Sequence, residues 1–393
     1  MDKQFKNPNI LVISRVFFPD IGGIQEYAYN RCLQDPESVI VLSSQCKNDK
    51  EFDHMEPFPI YRWSMPLLQN IGRFGTILKQ ILNMFWSVVL AIRLHQRYQY
   101  HYIEWCHGYD FPALLLLSYL LPVECFIYLH GDDVLCPQKN PVLRWLFEWT
   151  LQRTKKIVCN SNFTQDYLKE HFQVKRPIQI IHPTVRVEKF GQLNLNQEKL
   201  LRLQIRHKHQ IPQEAIVILS VGRLVKRKGF DHIIKNLPAL LAEGIDVYYL
   251  ICGQGHMEFE LRQLAENLGV TSRVIFAGYV IDEELAGYYA ACDLFSMLSF
   301  LDTKSRSIEG FGIVYLEAGY FSKPVIASRV GGVVDAVFHG ENGLLADPNY
   351  PEEILANIHY LCTDETLRQR LGKKGKELAT RTTLHRMLYQ FTA

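Results

Sequence analysis

The sequence predicts an α/β protein made of two doubly wound parallel-sheet domains, and three features of the chain support this fold class. At 393 residues, the chain is too long for one hydrophobic core, so we expect two domains facing a cleft. Short apolar segments alternate with longer amphipathic ones, which is typical of βαβ units. The alternation stops in a polar stretch at 191–210 and then resumes, which indicates a domain boundary.

Each half contains a series of apolar segments with the length and composition of buried parallel strands. In the first half these segments are 10–13, 38–42, 102–105, 126–129, 156–159 and 178–181. In the second half they are 216–221, 247–252, 274–277, 294–297, 324–327 and 343–345. We therefore predict an N-terminal domain at 1–190, a linker at 191–210, a C-terminal domain at 211–375 and a final helix at 376–393.

The charge and the cysteines exclude several classes of protein. Lys and Arg total 43 and Asp and Glu total 41, so no overall field attracts nucleic acid, and we expect no nucleic-acid partner. The nine cysteines are scattered and form no C-x-x-C pair, which gives no indication of zinc or redox chemistry. A reducing cytoplasm is the simplest setting for such a chain.

Two apolar stretches bear on membrane contact. The segments 77–92 and 111–129 are interrupted by Asn83 and by Pro122, so we expect no transmembrane helix. Residues 77–97 nevertheless combine a large apolar face with basic side chains. This segment fits either an amphipathic helix on the inner, anionic face of a membrane or a buried helix of the N-terminal domain.

Common coenzyme motifs are missing from the sequence. Gly253 and Gly255 begin a G-x-G-x-x-G pattern, but Glu258 takes the place of the third glycine, where a side chain obstructs helix–strand packing. The chain also lacks G-x-x-x-x-G-K-[ST]. We therefore expect neither a dinucleotide site nor a P-loop.

The strongest motif is SIEGFGIVYLEA at 307–318, a glycine-rich turn that leads into a helix. Glu309 and Glu317 lie eight residues apart in it. A helix that starts near Gly312 presents the free amides of its first residues to an anion such as a diphosphate. Carboxylates accept hydrogen bonds from the vicinal hydroxyls of a sugar or ribose. Two glutamates with unrelated surface positions are the alternative.

This motif resembles the E-x7-E signature of retaining GT-B glycosyltransferases, in particular glycosyltransferase family 4 (group 1), and the resemblance covers nearly the whole chain. It implies two Rossmann-like domains facing a cleft, with a C-terminal helix crossing back to the N-domain. It also implies retaining transfer of a hexosyl unit from a UDP- or GDP-sugar to a glycan, lipid-linked or small-molecule acceptor. A UDP-glucose-type donor is slightly favoured over GDP-mannose.

The segment SVGRLVKRKG at 220–229 resembles the family's loop whose cations neutralise the donor pyrophosphate. The matching positions are Arg223 and Lys228. A leaving nucleoside diphosphate gains negative charge in the transition state, and paired cations can stabilise it without a metal. We therefore expect no metal and no cofactor, although Asp132 and Asp133 beside His130 leave a metal site as an alternative. A solvated basic loop is the alternative for 220–229.

The resemblance also assigns roles to other residues. Glu309 is expected to hold the donor sugar, Glu317 the ribose, and His130 a sugar hydroxyl or the acceptor. After Gly331-Gly332 the family usually has Pro-Glu, whereas this chain has Val-Val-Asp, so Asp335 is not included. The predicted catalytic residues are His130, Glu309, Arg223 and Lys228. The predicted donor-binding residues are Gly22, Gly23, Arg223, Lys228, Val280, Glu309, Phe311, Gly312, Ile313, Val314 and Glu317.

The fold that the resemblance implies hosts more than one reaction. A phosphorylase is expected to carry pyridoxal phosphate and a much longer chain. A nucleotide-sugar epimerase and a non-catalytic nucleotide-sugar-binding subunit stay open as alternatives. The expected partners are a nucleotide-sugar donor and a glycan or lipid-linked acceptor, with peripheral membrane contact left open.

Overall fold

The computed structural model describes residues 8–64, 72–135, 137–191, 193–302, 307–381 and Leu388. The chain divides into two compact units. The first is Met1–Pro183 together with Thr383–Ala393, and the second is Thr184–Thr382. Each unit contains one parallel sheet with helices, as the sequence predicts.

The first unit contains a seven-stranded sheet in its described part. Its strands are β1 (Ile10–Ile13), β2 (Val39–Ser44), β3 (Ile60–Trp63), β4 (Tyr102–Trp105), β5 (Glu124–Leu129), β6 (Lys156–Cys159) and β7 (Ile178–Ile180). Its helices are α1 (Gly23–Leu33), α2 (Asp49–Met55), α3 (Gly72–Tyr98), α4 (Phe111–Leu120), α5 (Asp132–Leu135), α6 (Pro141–Arg153) and α7 (Asn162–His171). The strand order is β3-β2-β1-β4-β5-β6-β7.

Alternation along the strands supplies both faces of this sheet with apolar side chains. In β1, Leu11 and Ile13 belong to a core cluster formed with α3, α4, α6 and α7. Ile10 and Val12 belong to a second cluster, formed with α1 on the opposite face. Since successive side chains of a strand point to opposite faces, a fully apolar run is buried on both sides.

Helix α3 has one stretch, Ile77–Tyr98, that is long and apolar enough to cross a membrane by length and composition alone. Asn83 interrupts the apolar run without ending the helix. Asn83 is buried, and its Oδ1 accepts a hydrogen bond from Trp63 Nε1 at 2.9 Å. Val88 and Leu94 are buried in the core. Helix α3 therefore covers the sheet, and core helices commonly meet the same criterion.

The second unit contains a six-stranded sheet in its described part. Its strands are β8 (Ile216–Val221), β9 (Val247–Cys252), β10 (Val274–Gly278), β11 (Leu294–Met297), β12 (Val325–Ser328) and β13 (Gly343–Ala346). Its helices are α8 (Leu195–Lys208), α9 (Phe230–Ala242), α10 (Glu258–Asn267), α11 (Asp282–Ala291), α12 (Ile313–Tyr320), α13 (Pro351–Thr363) and α14 (Glu365–Ala379). The strand order is β10-β9-β8-β11-β12-β13.

The segment predicted as a linker at 191–210 contains helix α8, which packs on α11 within the second unit. Its buried Arg206 explains why the polar sequence folds. The Arg206 guanidinium pairs with Asp293 at 2.7 Å and donates to backbone carbonyls, including that of Ala215 at 2.8 Å. The unit boundary falls at Pro183, earlier than predicted.

The predicted C-terminal helix at 376–393 falls mostly outside the described residues. Residues 376–379 form the end of α14 instead. After Arg381 the structure describes Leu388, which is buried in the core cluster of the first unit. Lys156 Nζ donates a hydrogen bond to the Leu388 carbonyl at 3.4 Å. At Leu388 the chain is therefore back in the first unit.

Candidate active site

Each sheet has a topological switch point, which is a pair of neighbouring strands whose outgoing connections run to opposite sides of the sheet. In the second unit it lies between β8 and β11, and in the first between β1 and β4. Loops at such points leave a crevice at the carboxyl ends of the strands, where open α/β sheets bind ligands. Apart from Val280, which follows β10, the predicted site residues follow these strands or their neighbours in the sheet.

In the second unit, the loop after β8 packs closely against the segment after β11. It contains a short 3-10 turn, Lys226–Lys228, followed by Gly229. Gly229 has φ +68°, and a Cβ there would lie 2.1 Å from the carbonyl oxygen of Leu298. Only glycine permits both this left-handed backbone and this approach. The turn is thereby fixed beside the residues that follow β11.

Glu309 lies at the centre of this contact. Its Oε2 accepts hydrogen bonds from Lys228 Nζ at 2.6 Å and Arg227 Nη1 at 2.9 Å. Ser299 Oγ lies 3.4 Å from the same oxygen. The Glu309, Arg227 and Lys228 side chains are each 13% exposed. One carboxylate thus holds two cations at the switch point, and we call these three residues the Glu309 group.

Electrostatics keep the Glu309 carboxylate ionised. Burial alone would raise its pKa, but the charges and hydrogen bonds of Lys228 and Arg227 lower the pKa to about 2. Burial also lowers the pKa of Lys228, and the neighbouring Arg227 adds to that effect while Glu309 opposes it. Two basic side chains face one carboxylate in this group, an arrangement that suits a polyanionic ligand.

The structure separates the two predicted cations. Lys228 lies in the Glu309 group, whereas Arg223 is exposed, and no carboxylate of the described residues pairs with it. Arg227 was missed by the sequence analysis, although it stands next to Lys228 in the run Lys226-Arg227-Lys228. Sequence alone does not indicate which cation of a basic run points inward.

Helix α12 begins at Ile313, directly after Gly312, as predicted. Gly312 has φ +92°, and a Cβ there would lie 2.3 Å from the Tyr315 ring. Ile313 and Val314 are partly buried in the first turn. Phe311 is 3% exposed and belongs to the hydrophobic core, so its side chain packs inside the second unit and does not line the site. The free amides of this helix start are available to an anion.

Glu317 is buried on α12 and has partners of its own. Its Oε1 accepts a hydrogen bond from Lys189 Nζ at 2.9 Å, and its Oε2 accepts one from the Tyr289 hydroxyl at 2.7 Å. Lys189 Nζ also lies 3.5 Å from Asp282 Oδ1. Neither Lys189 nor Tyr289 was predicted, because both are far from Glu317 in sequence. A carboxylate has about four acceptor positions, so further hydrogen bonds to a ligand are available.

Val280 follows strand β10 and is partly buried against the core of the second unit. The carbonyl of Gly278, just before it, accepts a hydrogen bond from the Gly253 amide at 2.7 Å. Gly278 itself has φ +72°. The structure therefore places Val280 in a loop at the carboxyl end of a strand, two strands from the switch point.

In the first unit, Gly22 and Gly23 connect β1 to α1. Gly22 precedes the first residue of the helix, and a Cβ built at Gly23 would meet no atom within 4 Å. The space beside Gly23 is therefore open. A Cβ at Gly22 would instead lie 2.5 Å from Gln25 Oε1. Contact of this backbone with a donor stays a prediction.

His130 follows β5 and is held by backbone contacts. Its Nε2 lies 3.0 Å from the Cys106 carbonyl, and its ring packs edge-on against Tyr27 at 5.0 Å. Because a carbonyl only accepts, Nε2 carries the proton and Nδ1 is an acceptor in the neutral ring. Burial lowers the pKa of His130, which favours this neutral form. Asp133 accepts from the amides of His130 and Gly108 at 2.8 and 2.7 Å.

Three residues near the β1–β4 switch point were missed. His107 is buried, and its Nε2 accepts a hydrogen bond from the Arg15 amide at 2.9 Å. Burial, together with the charge of Arg15, lowers the pKa of His107 to about 3. The Arg15 guanidinium pairs with Asp110 at 3.2 Å. A strand followed by His-Gly-Tyr-Asp was the available signal in the sequence.

Within the described ranges, no group of three or more His, Cys, Asp or Glu side chains is arranged to hold a metal ion. Asp133 is occupied by two backbone amides and belongs to the local fold of the β5–α5 connection. The described cysteines are free thiols, and all of them except Cys46 are buried.

The two units are Rossmann-like parallel-sheet domains, and comparisons with solved structures show that this is the GT-B fold. The chain superimposes on sucrose-phosphate synthase from Thermosynechococcus elongatus with a TM-score of 0.79, 20% identity and coverage of 98% of this chain and 96% of that one. It superimposes on Anabaena HepE in complex with UDP with a TM-score of 0.75, 20% identity and 96% coverage of both chains. These likenesses establish the fold.

Family and sequence comparisons identify the chain further. The model for glycosyl transferases group 1 matches residues 202–378, and that for glycosyltransferase family 4 matches residues 21–189. An uncharacterized glycosyltransferase of Methanocaldococcus jannaschii is 29% identical over 94% of this chain and 93% of its own length. A GDP-mannose-dependent monoacylated alpha-(1-6)-phosphatidylinositol monomannoside mannosyltransferase of Corynebacterium glutamicum is 27% identical over 93% and 92%. The chain is a glycosyltransferase of family 4, group 1.

Proposed function

We propose that this glycosyltransferase moves a hexosyl unit from a nucleoside-diphosphate sugar to an acceptor hydroxyl with retention of the anomeric configuration. The observation that carries the proposal is the Glu309 group, which sets two cations beside one carboxylate at the switch point of the second unit. The start of helix α12 follows Glu309 by four residues. Cations and free amides on neighbouring loops suit a diphosphate.

The chemistry follows from where charge develops. When the bond between the anomeric carbon and the diphosphate oxygen breaks, its electron pair goes to the leaving diphosphate. Arg227, Lys228 and the amides after Gly312 stabilise this added charge, with Arg223 as a further cation. The acceptor oxygen bonds to the anomeric carbon on the same face, and its proton passes to a diphosphate oxygen. Glu309 orients the two cations and accepts hydrogen bonds from the sugar hydroxyls.

His130 fits a supporting role in the first unit. As a neutral ring with Nδ1 as an acceptor, it can take a hydrogen bond from a hydroxyl of the donor sugar or the acceptor. In this proposal, the backbone of Gly22 and Gly23 approaches the donor, and Val280 contacts the base. Because the pKa of His130 lies below its ordinary value, the neutral form persists at physiological pH.

The donor base and sugar belong to the proposal. The slight preference for a UDP-glucose-type donor rests on the resemblance alone, whereas the C. glutamicum relative is named as GDP-mannose-dependent. We therefore place GDP-mannose beside UDP-glucose as the first donors to test. A thermal-shift screen of GDP-mannose, GDP, UDP-glucose and UDP tests this, because a ligand that binds the folded state raises its melting temperature. A shift with none of the four compounds would contradict the proposed donor class.

Glu317 is expected to recognise the ribose of the donor. If so, wild-type protein binds the nucleoside diphosphate about tenfold to a hundredfold more tightly than its 2′,3′-dideoxy analogue, which corresponds to about 1–3 kcal/mol for hydrogen bonds to a charged group. Glu317→Ala should bind both compounds equally weakly. Titration calorimetry measures the affinities of the wild type and of Glu317→Ala for the two compounds.

Tyr289→Phe is the matched control for Glu317, because it removes one hydrogen bond to the carboxylate and keeps the aromatic ring. This variant should retain most of the preference for the ribonucleotide. If Glu317→Ala keeps the full wild-type preference for the nucleoside diphosphate over its dideoxy analogue, Glu317 does not contact the ribose.

We also propose that turnover requires no divalent metal. In transferases with a D-x-D motif, a metal ion neutralises the leaving diphosphate, and in this proposal the protein's cations do so. The sequence has the adjacent pair Asp132-Asp133 and lacks the D-x-D motif. Initial rates should be unchanged by excess EDTA after metal-free purification. Loss of activity on chelation, restored by Mn²⁺ or Mg²⁺, would overturn this mechanism and direct attention to Asp132 and Asp133.

The acceptor and the location complete the proposal. A glycan, a lipid-linked sugar and a small molecule are all compatible with an acceptor hydroxyl. A cytoplasmic location is supported by the buried, unpaired thiols in the described part of the chain. Transfer of label from the donor to each acceptor class distinguishes the three.

A further inference from the structure

Ten large apolar side chains are exposed on the outer surface of helices α3, α4 and α6. Their exposed fractions run from 39% to 62%. Apart from Leu143, they recur on each helix at the three- or four-residue spacing that forms one stripe. The residues are Ile77, Ile81 and Phe85 on α3, Leu116, Tyr119 and Leu120 on α4, and Val142, Leu143, Trp145 and Trp149 on α6. We call this surface the α3–α4–α6 face.

The three stripes belong to one layer of the first unit. Helix α4 contacts both α3 and α6, and all three pack on the same side of the sheet. Aromatic contacts join α4 to α6 at the surface. Trp149 Nε1 donates to the Tyr119 hydroxyl at 3.1 Å, and the Trp145 and Trp149 ring centroids lie 5.0 Å apart. Monomeric proteins rarely expose so many neighbouring apolar side chains without a partner.

The charge of this layer is strongly one-sided. Among the described side chains of helix α3, Lys79, Arg93 and Arg97 are basic and none is acidic, and α4 has no charged residue. Helix α6 adds Arg144 and Arg153 and has one acidic residue, Glu148, whose Oε1 lies 3.4 Å from Arg144. Arg153 is exposed, and its guanidinium lies over the Tyr119 ring at 4.2 Å. The partner of this face is therefore anionic as well as apolar.

We propose that the α3–α4–α6 face binds the surface of an anionic lipid bilayer. Tryptophan and tyrosine favour the boundary between headgroups and acyl chains, and Lys and Arg favour anionic headgroups. A second copy fits less well, because a two-fold interface would oppose the basic residues of both copies. Helix α3 lies on the bilayer without crossing it, since Val88 and Leu94 hold it to the sheet.

The test uses the full chain and flotation with vesicles of phosphatidylcholine, alone or mixed with phosphatidylglycerol. Binding should be about tenfold stronger to the anionic vesicles and should weaken at high salt. Tryptophan emission should shift to shorter wavelength on binding, because Trp145 and Trp149 are exposed whereas Trp63 and Trp105 are buried. No flotation with either vesicle would overturn the proposal.

Variants separate the face from the rest of the surface. Ile81→Gln, Phe85→Gln and Trp145→Gln in one chain should reduce binding by at least about tenfold, since three anchors are lost. Lys79→Glu with Arg93→Glu should remove the preference for anionic lipid. The control is Phe259→Gln, an equally apolar residue, 68% exposed on α10 of the second unit, which should bind like wild type.

Two further results would contradict the proposal. One is equal loss of binding in the Phe259→Gln control. The other is a stable wild-type dimer, measured by light scattering, that the triple substitution dissociates, combined with no binding of the wild-type protein to vesicles. Thermal melting should show that the variants stay folded, because substitutions at exposed positions rarely destabilise a protein. Donor hydrolysis in solution should be unchanged in all of them, so this test is independent of the proposed transferase chemistry.

Discussion

Replacing Glu309 with alanine is expected to lower turnover by about a thousandfold, the upper range for loss of one preorganised electrostatic group. The variant removes the proposed contact with the donor sugar and also removes the carboxylate that pairs with both Arg227 and Lys228. Both cations are only 13% exposed, so stability should also fall, by about 3 kcal/mol. Initial rates of donor consumption and denaturant unfolding measure the two effects.

Ser299→Ala is the matched control for Glu309, because it removes only the hydroxyl that lies 3.4 Å from the carboxylate. It should change turnover by less than about tenfold, as expected for a long neutral hydrogen bond. Glu309→Gln keeps the shape and loses the charge, so it should resemble the alanine variant in turnover. Wild-type rates in both Glu309 variants would show that the Glu309 group has no part in catalysis.

Lys228→Ala is expected to lower turnover by on the order of a hundredfold or more, with a comparable loss for Arg227→Ala. Each variant removes one of the two cations proposed to stabilise the leaving diphosphate. Lys226 provides the control, because it is an exposed residue of the same 3-10 turn. Lys226→Ala should turn over at nearly the wild-type rate, and an equal loss in all three variants would indicate a general charge effect instead of a specific site.

Arg223→Lys separates charge from geometry. An ammonium retains the positive charge but does not reproduce the bidentate contact of a guanidinium with phosphate. Turnover should therefore fall in this variant even though net charge is unchanged. Wild-type kinetics would show that Arg223, which is exposed in the structure, acts only through its charge or not at all.

The sequence was most informative where strands are buried on both faces. Strands β1, β4, β8 and β9 have the predicted bounds, since apart from Glu104 and Ser220 their residues are apolar or aromatic on both sides of the sheet. Strand β3 was missed. Only Trp63 of its four residues is fully buried, and Arg62 interrupts the apolar run. An edge strand has one neighbour, so its sequence is less constrained.

Helix α8 was mistaken for a linker because most of its residues are polar or charged and its leucines at 195, 200 and 203 are exposed, so no clear apolar face marks it in the sequence. The capping box of Asn194 and Gln197 was a local signal for the start of this helix. The burial of Arg206 was not predictable, because the carbonyls and Asp293 that satisfy it come from distant segments.

The candidate site shows the same division between local and long-range information. The helix start after Gly312 is a local feature and was predicted from the sequence. The pairing of Glu309 with Arg227 and of Glu317 with Lys189 and Tyr289 depends on loops and helices that are distant in the sequence. Spacing along the chain does not specify such contacts, whereas the strand order of the sheet does.

The most direct test of the proposed function is the anomeric configuration of the sugar that the purified protein releases first from an α-configured donor. With GDP-mannose or UDP-glucose and water as acceptor, rapid proton NMR should show the α-sugar before mutarotation. Glu309→Ala should show no release above background. Initial appearance of the β-sugar, or equal release by wild type and Glu309→Ala, would contradict retaining transfer by the Glu309 group.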